Sequence, residues 1–200
     1  MTKLSEMFSG ADASGANPLK TVYLRDEPSM LLCFTPDAES ANLHFEGDES
    51  VRRYLVCPGP GCPICFLGAV PIKHGLLPVF NVESCAVEVL QVSDKRGPNA
   101  LGPLMTRVLA DPDIASKVVF VTRSKSNVFA VTTQPLAETA DHGEAAIRAF
   151  LEAQQNGLKL ITAYWRPTAT ELANVERVRR KLEVKPGWQP PSTDKPTTPF

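Results

Sequence analysis

One histidine and three cysteines crowd into 22 residues, 44 to 65, and this cluster constrains the chain more than any other feature. Cys62 and Cys65 are separated by two residues, a spacing at which one tight turn aims two thiolates at one point, as tetrahedral zinc requires. Four residues separate Cys57 from Cys62, within "CPGPGC", whose glycines and prolines favour a tight backbone. His44 ends a strand-like segment upstream. The pattern predicts one structural zinc ion held by His44, Cys57, Cys62 and Cys65.

Two other interpretations of the cluster remain open from the residues alone. His74 and Cys85 are alternatives for the fourth ligand. A CxxC pair can also be a redox pair, but that site needs a βαβ context and a helix that opens at the first cysteine, whereas both flanks here have β character. If His44 is the fourth ligand, we expect Cys33 and Cys85 to be metal-free.

The composition indicates one domain with a substantial core, because 43% of the 200 residues are hydrophobic. The first residues have no apolar core of signal-peptide length, and the longer hydrophobic runs are interrupted well short of a membrane span. These features predict a soluble, cytoplasmic protein. Charge is uneven: residues 1–51 carry 3 basic and 9 acidic side chains, whereas residues 52–129 carry 9 and 5. The basic middle of the chain can attract an anion despite the net charge of −1.

Strand and turn patterns predict a mainly β (α+β) fold. The segments "LLPVFNV" and "AVEVLQVS" predict one hairpin, and "KVVFVTR" with "NVFAVTT" a second, with a helix over 98–110 between them. Two more helices follow, each opened by a capping-box signal, at Asp141 with Glu144 and at Thr168 with Glu171, and "LKLITAYW" between them predicts a last strand. A small antiparallel β-barrel with an inserted zinc knuckle and C-terminal helices fits this order best, and a sandwich is the alternative.

The ends of the chain differ in composition from its middle. Residues 1–17 are small and polar, and residues 185–200 are rich in proline. We therefore expect a flexible N-terminal tail over 1–17, one zinc-knuckle domain over 18–184 and a flexible C-terminal tail over 185–200.

The His44-x12-Cys-x4-Cys-x2-Cys pattern, followed by "LLPVFNVESCAVEVLQVS", a helix and a second hairpin, resembles the zinc-containing phage single-stranded-DNA-binding (helix-destabilising) proteins of the T-even type. The resemblance covers roughly residues 20 to 135. It implies an OB-fold-like antiparallel β-barrel, a structural zinc ion, and a sequence-tolerant role with single-stranded DNA in phage or mobile-element replication and recombination.

Single-strand binding needs a positive groove along the backbone and aromatic rings on which bases stack. The basic middle of the chain supplies candidates of both kinds, namely Arg52, Arg53, Tyr54, Lys73, Phe80, Arg123, Lys125 and Phe129. Phe80 and Phe129 lie in apolar strands and are equally typical of a core. Exposed cations can also simply solvate a surface.

The C-terminal Pro199-Phe200 resembles the tip of bacterial single-stranded-DNA-binding proteins, which implies docking of replication or repair proteins there. Two other function classes compete with DNA binding. A zinc-stabilised RNA-binding or protein-interaction module would use a similar barrel. An enzyme with Cys62 or Cys65 as nucleophile and His44 or His74 as base finds no supporting motif, so we expect no catalysis.

Overall fold

A computed structural model describes residues 19–35, 38–48, 51–93, 97, 100–136 and 140–191. Side chains of residues 46–48, 51–53, 140 and 141 are outside this description. Residues 1–17, Pro199 and Phe200, which the sequence analysis assigned to tails, lie outside the described residues. None of the helices in the described ranges is both long and apolar enough to cross a bilayer.

Seven strands form one sheet in the described part of the chain, and the pairings given for them are antiparallel. The strands are β1 (Ser29–Leu32), β2 (Glu39–Asp48), β3 (Val51–Val56), β4 (Ile72–Asn81), β5 (Ala86–Ser93), β6 (Lys117–Arg123) and β7 (Phe129–Pro135). Their order is β3-β2-β4-β1-β6-β7, with β5 paired to β4. The α+β class with antiparallel β structure is thereby confirmed. The sheet is open among these strands, so the closed barrel of an OB fold stays a prediction.

Both predicted hairpins are present. β6 and β7 run in register from Arg123 opposite Phe129 to Lys117 opposite Pro135, and their β-branched residues suit a half-buried pleated surface. In the turn between β4 and β5, the side-chain oxygen of Asn81 accepts the backbone N–H of Glu83 at 3.1 Å, and Cys85 has a left-handed φ of 51°. The local patterns of turn residues and apolar runs were therefore sufficient to find these hairpins.

Helices are few and mostly short. They are α1 (Pro63–Phe66), α2 (Leu101–Leu109), α3 (Ala140–Gln155), α4 (Ala169–Ala173) and α5 (Glu176–Val184). The predicted capping box of α4 is confirmed, because Thr168 accepts the backbone N–H of Glu171 while the Glu171 side chain accepts that of Thr168. Helix α3 begins at Ala140, so Asp141 lies inside it rather than capping it. The expected last strand "LKLITAYW" is instead a 3₁₀ turn, Leu160–Ala163, followed by a single bridge from Trp165 to Leu55.

The chain divides into two compact units, and the expected single domain over 18–184 stays a prediction. Unit 1 comprises residues 1–39 and 75–163, and unit 2 comprises residues 40–74 and 164–200. Unit 1 contains two hydrophobic clusters, built around Leu31, Val79 and Val119 and around Leu32, Phe80 and Phe150. Unit 2 has one smaller cluster, whose buried members are Leu55, Cys62, Ile64, Leu172 and Val178. The cysteines of the sequence motif belong to unit 2.

Candidate metal centre

His44 is positioned by the β2–β3 ladder. It lies opposite Leu55, and both residues are buried, with exposed fractions of 3% and 0%. Cys57 directly follows β3, and its backbone N–H donates to the carbonyl oxygen of Asn42 on β2 at 2.9 Å. The ladder therefore delivers the histidine and the first cysteine to the same end of the hairpin.

The loop between Cys57 and Cys62 turns the chain back on itself. Gly59 and Gly61 have φ values of 82° and 79°, in the left-handed region that favours glycine. The N–H of Cys62 donates to the carbonyl of Gly59 at 3.1 Å, which closes the turn. Helix α1 then begins with Pro63 at its first position, and a single helical turn places Cys65 beside Cys62. We call residues 57–66 the knuckle.

The four predicted ligands converge. His44, Cys57, Cys62 and Cys65 offer ligand atoms that all lie within 4.8 Å of one another. The Sγ atoms of Cys57 and Cys65 are 3.7 Å apart, and His44 Nε2 is 3.6 Å from Cys62 Sγ and 3.3 Å from Cys65 Sγ. Tetrahedral zinc, about 2.3 Å from sulfur and about 2.0 Å from nitrogen, separates two sulfurs by about 3.8 Å and nitrogen from sulfur by about 3.5 Å. These residues, which we call the His/Cys group, form one candidate metal site with dimensions that fit zinc.

The protonation chemistry of the group also suits a cation. Burial raises the pKa of the Cys65 thiol to about 12, and the neighbouring thiols Cys57 and Cys62 push it in the same direction. Burial likewise raises the pKa of Cys62 and lowers that of His44. Without a nearby positive charge, Cys62 and Cys65 therefore stay neutral, and a divalent cation supplies the charge that their thiolates need. Because side chains fill four positions, the site has the closed composition of a structural metal centre.

The alternative ligands are outside this group. His74 is buried at 2% exposure, with Nδ1 3.0 Å from the carbonyl oxygen of Ile72, and its ring packs against Tyr54. Cys85 is exposed in the β4–β5 turn, with its sulfur 3.4 Å from the carbonyl of Val82. Cys33 is buried in the main core of unit 1, which raises its pKa to about 12. The described His/Cys cluster contains none of these three.

Part of the predicted C-terminal tail contacts the knuckle. The Lys185 ammonium donates to the carbonyl of Phe66 at 3.0 Å and lies 5.1 Å from the centre of its ring. The Trp188 indole N–H donates to the carbonyl of Gly61 at 2.9 Å. We call residues 185–191 the strap. Three of them, Gly187, Trp188 and Gln189, line a groove of about 500 Å³ with the knuckle. The tail prediction missed these contacts because proline-rich composition does not reveal an indole partner far away in sequence.

Tyr54 and Lys73, two of the predicted nucleic-acid contacts, lie in unit 2 with the His/Cys group. Tyr54 is half-buried on β3, and Lys73 is exposed on β4, next to the His74 ring that touches Tyr54. Arg52 and Arg53 also lie in β3, opposite Gly47 and Glu46, and their side chains are outside the description. Neighbouring residues of a strand point to opposite faces of the sheet, so Lys73 lies on the face opposite to the Tyr54–His74 pair.

The remaining predicted contacts lie in unit 1. Phe80 is 1% exposed and packed in the core of that unit, as the core interpretation of this residue expects. Phe129 is partly buried against the main core of that unit. Arg123 Nε donates to the side-chain oxygen of Asn127 at 3.0 Å within the β6–β7 turn, and Lys125 is exposed in the same turn.

The sequence candidates did not include Phe45, an exposed aromatic residue of unit 2. Phe45 on β2 is 57% exposed and lies opposite Tyr54, with ring centres 5.2 Å apart. Strand alternation predicts that Phe45 shares the environment of Leu43, two residues earlier, and Leu43 is buried. The signal that could have found Phe45 is the polar sequence after it, "EGDES", which is typical of a hairpin leaving the core.

Comparison with known proteins identifies no relative. The chain matches no family model, no curated protein and no solved structure.

Proposed function

We propose that this protein binds single-stranded DNA without sequence preference and without catalysis, through a surface on unit 2. The observation that carries the proposal is the segregation of charge. The sequence of unit 2 contains 10 basic and 7 acidic side chains, and that of unit 1 contains 11 and 15, giving +3 and −4 within a chain of net charge −1. Positive charge thus accompanies the His/Cys group, and a positive surface attracts the phosphate backbone.

Aromatic rings on the same unit favour binding of a single strand over binding of a duplex. Tyr54 lies beside Phe45 and His74. Unpaired bases can stack on rings of this kind, whereas the bases of a duplex are already stacked on one another. Exposed cations of the same unit, such as Lys73, would contribute phosphate contacts that carry no sequence information.

In this proposal the metal is one zinc ion with a structural role. It joins the β2–β3 hairpin to the knuckle and so fixes the strands that carry Phe45 and Tyr54. The finer fold we propose is an OB-like barrel, and the setting is DNA replication or recombination of a phage or mobile element in the host cytoplasm. These finer points rest on the resemblance of the His44-x12-Cys-x4-Cys-x2-Cys pattern to the T-even type.

The test is fluorescence anisotropy of labelled oligonucleotides with metal-loaded protein. Single strands should bind more tightly than duplexes of the same sequence. If three cations meet phosphates, affinity for the single strand should fall roughly 20-fold between about 50 and 200 mM salt. An RNA strand of the same sequence is included. Tighter binding of the RNA strand would mean that the ligand is RNA rather than DNA. Absence of binding to every oligonucleotide would reject nucleic-acid binding.

A protein-interaction role is the second candidate, and the groove between knuckle and strap favours it. This groove is lined by aromatic side chains of Phe66 and Trp188. The C-terminal Pro199 and Phe200 would serve the same role as a docking tip for replication or repair proteins. Deleting these two residues should then abolish capture of such partners while oligonucleotide affinity stays unchanged. Equal recovery by intact and shortened protein would reject the tip.

A further inference from the structure

Three aromatic rings form a continuous row in unit 2. The ring centres of Phe45 and Tyr54 are 5.2 Å apart and tilted by 58°, and those of Tyr54 and His74 are 5.2 Å apart and meet edge to face. Exposure decreases along the row, from 57% at Phe45 through the half-buried Tyr54 to 2% at His74. We call these residues the aromatic row. Its outer end presents the ring most open to solvent.

The rings beneath Phe45 are held in place. Tyr54 is fixed opposite Phe45 by the β2–β3 register. His74 is buried, and its Nδ1 lies 3.0 Å from the carbonyl oxygen of Ile72. His44, the residue before Phe45, belongs to the His/Cys group. The backbone that carries Phe45 is thus constrained on both strands, which lowers the entropy lost when a ligand stacks on its ring.

Phe45 presents an apolar ring face to water, and a ligand that covers this face would remove it from water, which is favourable. The ring belongs to unit 2, whose sequence carries a net charge of +3. An apolar, flat and exposed ring on a positively charged unit matches a nucleotide, which combines a planar base with a phosphate.

We propose that Phe45 is the stacking position for one unpaired nucleobase, and that Tyr54 and His74 are positioning residues that support its ring. This inference rests on the proposed function and deepens it. The proposed stacking contact is therefore Phe45, the outermost ring of the row, rather than Tyr54, which the sequence suggested. The ligand is an unpaired base of any identity, because every base has a π face.

The experiment compares Phe45→Leu, Phe45→Ala and Phe45→Trp in the metal-loaded full chain, with a labelled thymidine oligonucleotide. Leu keeps apolar bulk but removes the π face, so both Leu and Ala should weaken binding, by roughly 5- to 150-fold, the range that removal of a base–aromatic stack gives. Trp should retain affinity, and its fluorescence should be quenched when the oligonucleotide binds. Tyr23→Leu is the matched control, because Tyr23 is 76% exposed and lies in unit 1.

Tyr54 is tested separately as a positioning residue. Tyr54→Phe keeps the ring and should bind within about twofold of the parent. Tyr54→Leu removes the ring and should bind more weakly, so Phe at this position should keep the affinity that Leu loses. Metal content and melting temperature are measured for each variant, so that unfolding is distinguished from a local effect on the aromatic row.

Each outcome decides the inference. If the parent protein binds the oligonucleotide and Phe45→Leu binds equally well, the stacking position is wrong while DNA binding stands. If the parent binds no oligonucleotide, the inference falls together with the proposed function. If Phe45→Ala changes the oligomeric state in sedimentation and leaves oligonucleotide affinity unchanged, Phe45 is a contact between two copies of the chain and the inference is overturned.

Discussion

Units 1 and 2 are stabilised in different ways. Unit 1 contains two apolar clusters and the largest fully buried side chain, Phe80. The described residues of unit 2 form one small cluster, and one of its five buried members, Cys62, is also a candidate metal ligand. A core this small gives little hydrophobic stabilisation, so such folds commonly depend on a metal or a cross-link. The comparison predicts that unit 1 is stabilised by burial of apolar side chains and that unit 2 depends on a metal bound by the His/Cys group.

Removing the metal should have the largest effect, and it should act on unit 2. Both tryptophans of the chain, Trp165 and Trp188, lie in that unit. Chelation should therefore shift their emission to longer wavelength as the knuckle and strap loosen. Cys57→Ser and His44→Ala should bind less metal and melt at lower temperature. Unchanged emission after complete metal removal, measured by metal assay, would contradict the division into two kinds of unit.

Thiol labelling of the same samples measures independently whether unit 1 stays folded when the metal is removed. Burial and the raised pKa of about 12 leave Cys33 without thiolate at pH 8, so it should stay unlabelled before and after chelation. Cys85 is exposed and should react first. Cys57, Cys62 and Cys65 should become reactive only after chelation, as mass spectrometry of digested protein can show. Labelling of Cys33 upon chelation would mean that unit 1 also depends on the metal.

Phe80→Ala should have the next largest effect, and this effect should lie in unit 1 rather than in unit 2. Removing this buried ring leaves a cavity in unit 1 that costs about 3–5 kcal/mol of unfolding free energy. Thermal and denaturant unfolding measure the loss. Oligonucleotide affinity and metal content of the folded fraction should stay as in the parent, because Phe80 has no exposed face. A selective loss of affinity without loss of stability would restore Phe80 as a contact.

Replacing Arg52, Arg53 and Lys73 together with Ala should weaken single-strand binding about equally across sequences. The slope of log affinity against log salt should become shallower by about 2, because each phosphate that a cation no longer neutralises lowers it by about 0.7. The matched control is Arg123→Ala with Lys125→Ala, which removes two cations from the β6–β7 turn of unit 1. A larger effect of the control pair would move the DNA-binding surface to unit 1.

Asp111→Asn should have the smallest effect, confined to unit 1. The hydrogen bond from Lys117 holds the pKa of the Asp111 carboxyl below its ordinary value of 3.8. The carboxylate therefore contributes stability above that pH and loses it as the pH falls through the lower folded value. Asn can still accept the backbone N–H of Asp113. The variant should melt slightly below the parent at pH 7, and the difference should vanish in acid; a difference that grows in acid would contradict the sign.

The sequence by itself determined the local elements. The CxxC spacing with the glycine turn before it predicted which four side chains converge, because the spacing fixes how the backbone must turn. The two hairpins, helix α2 and the capping box of α4 were predicted for the same reason, since each depends on contacts only a few residues apart. The resemblance to the T-even type rests on the same short-range pattern.

Only the tertiary structure decided which residues are buried and which are exposed. Phe80 and Phe45 both lie in strands and look alike in sequence, yet one is 1% and the other 57% exposed. Likewise, Trp188 bonds to Gly61 across 127 residues, and Trp165 pairs with Leu55 rather than extending a strand of its own. The exposure of a side chain and its long-range hydrogen bonds are set by packing between segments far apart in sequence. Local residue preferences carry no information about which distant segment packs against a given residue.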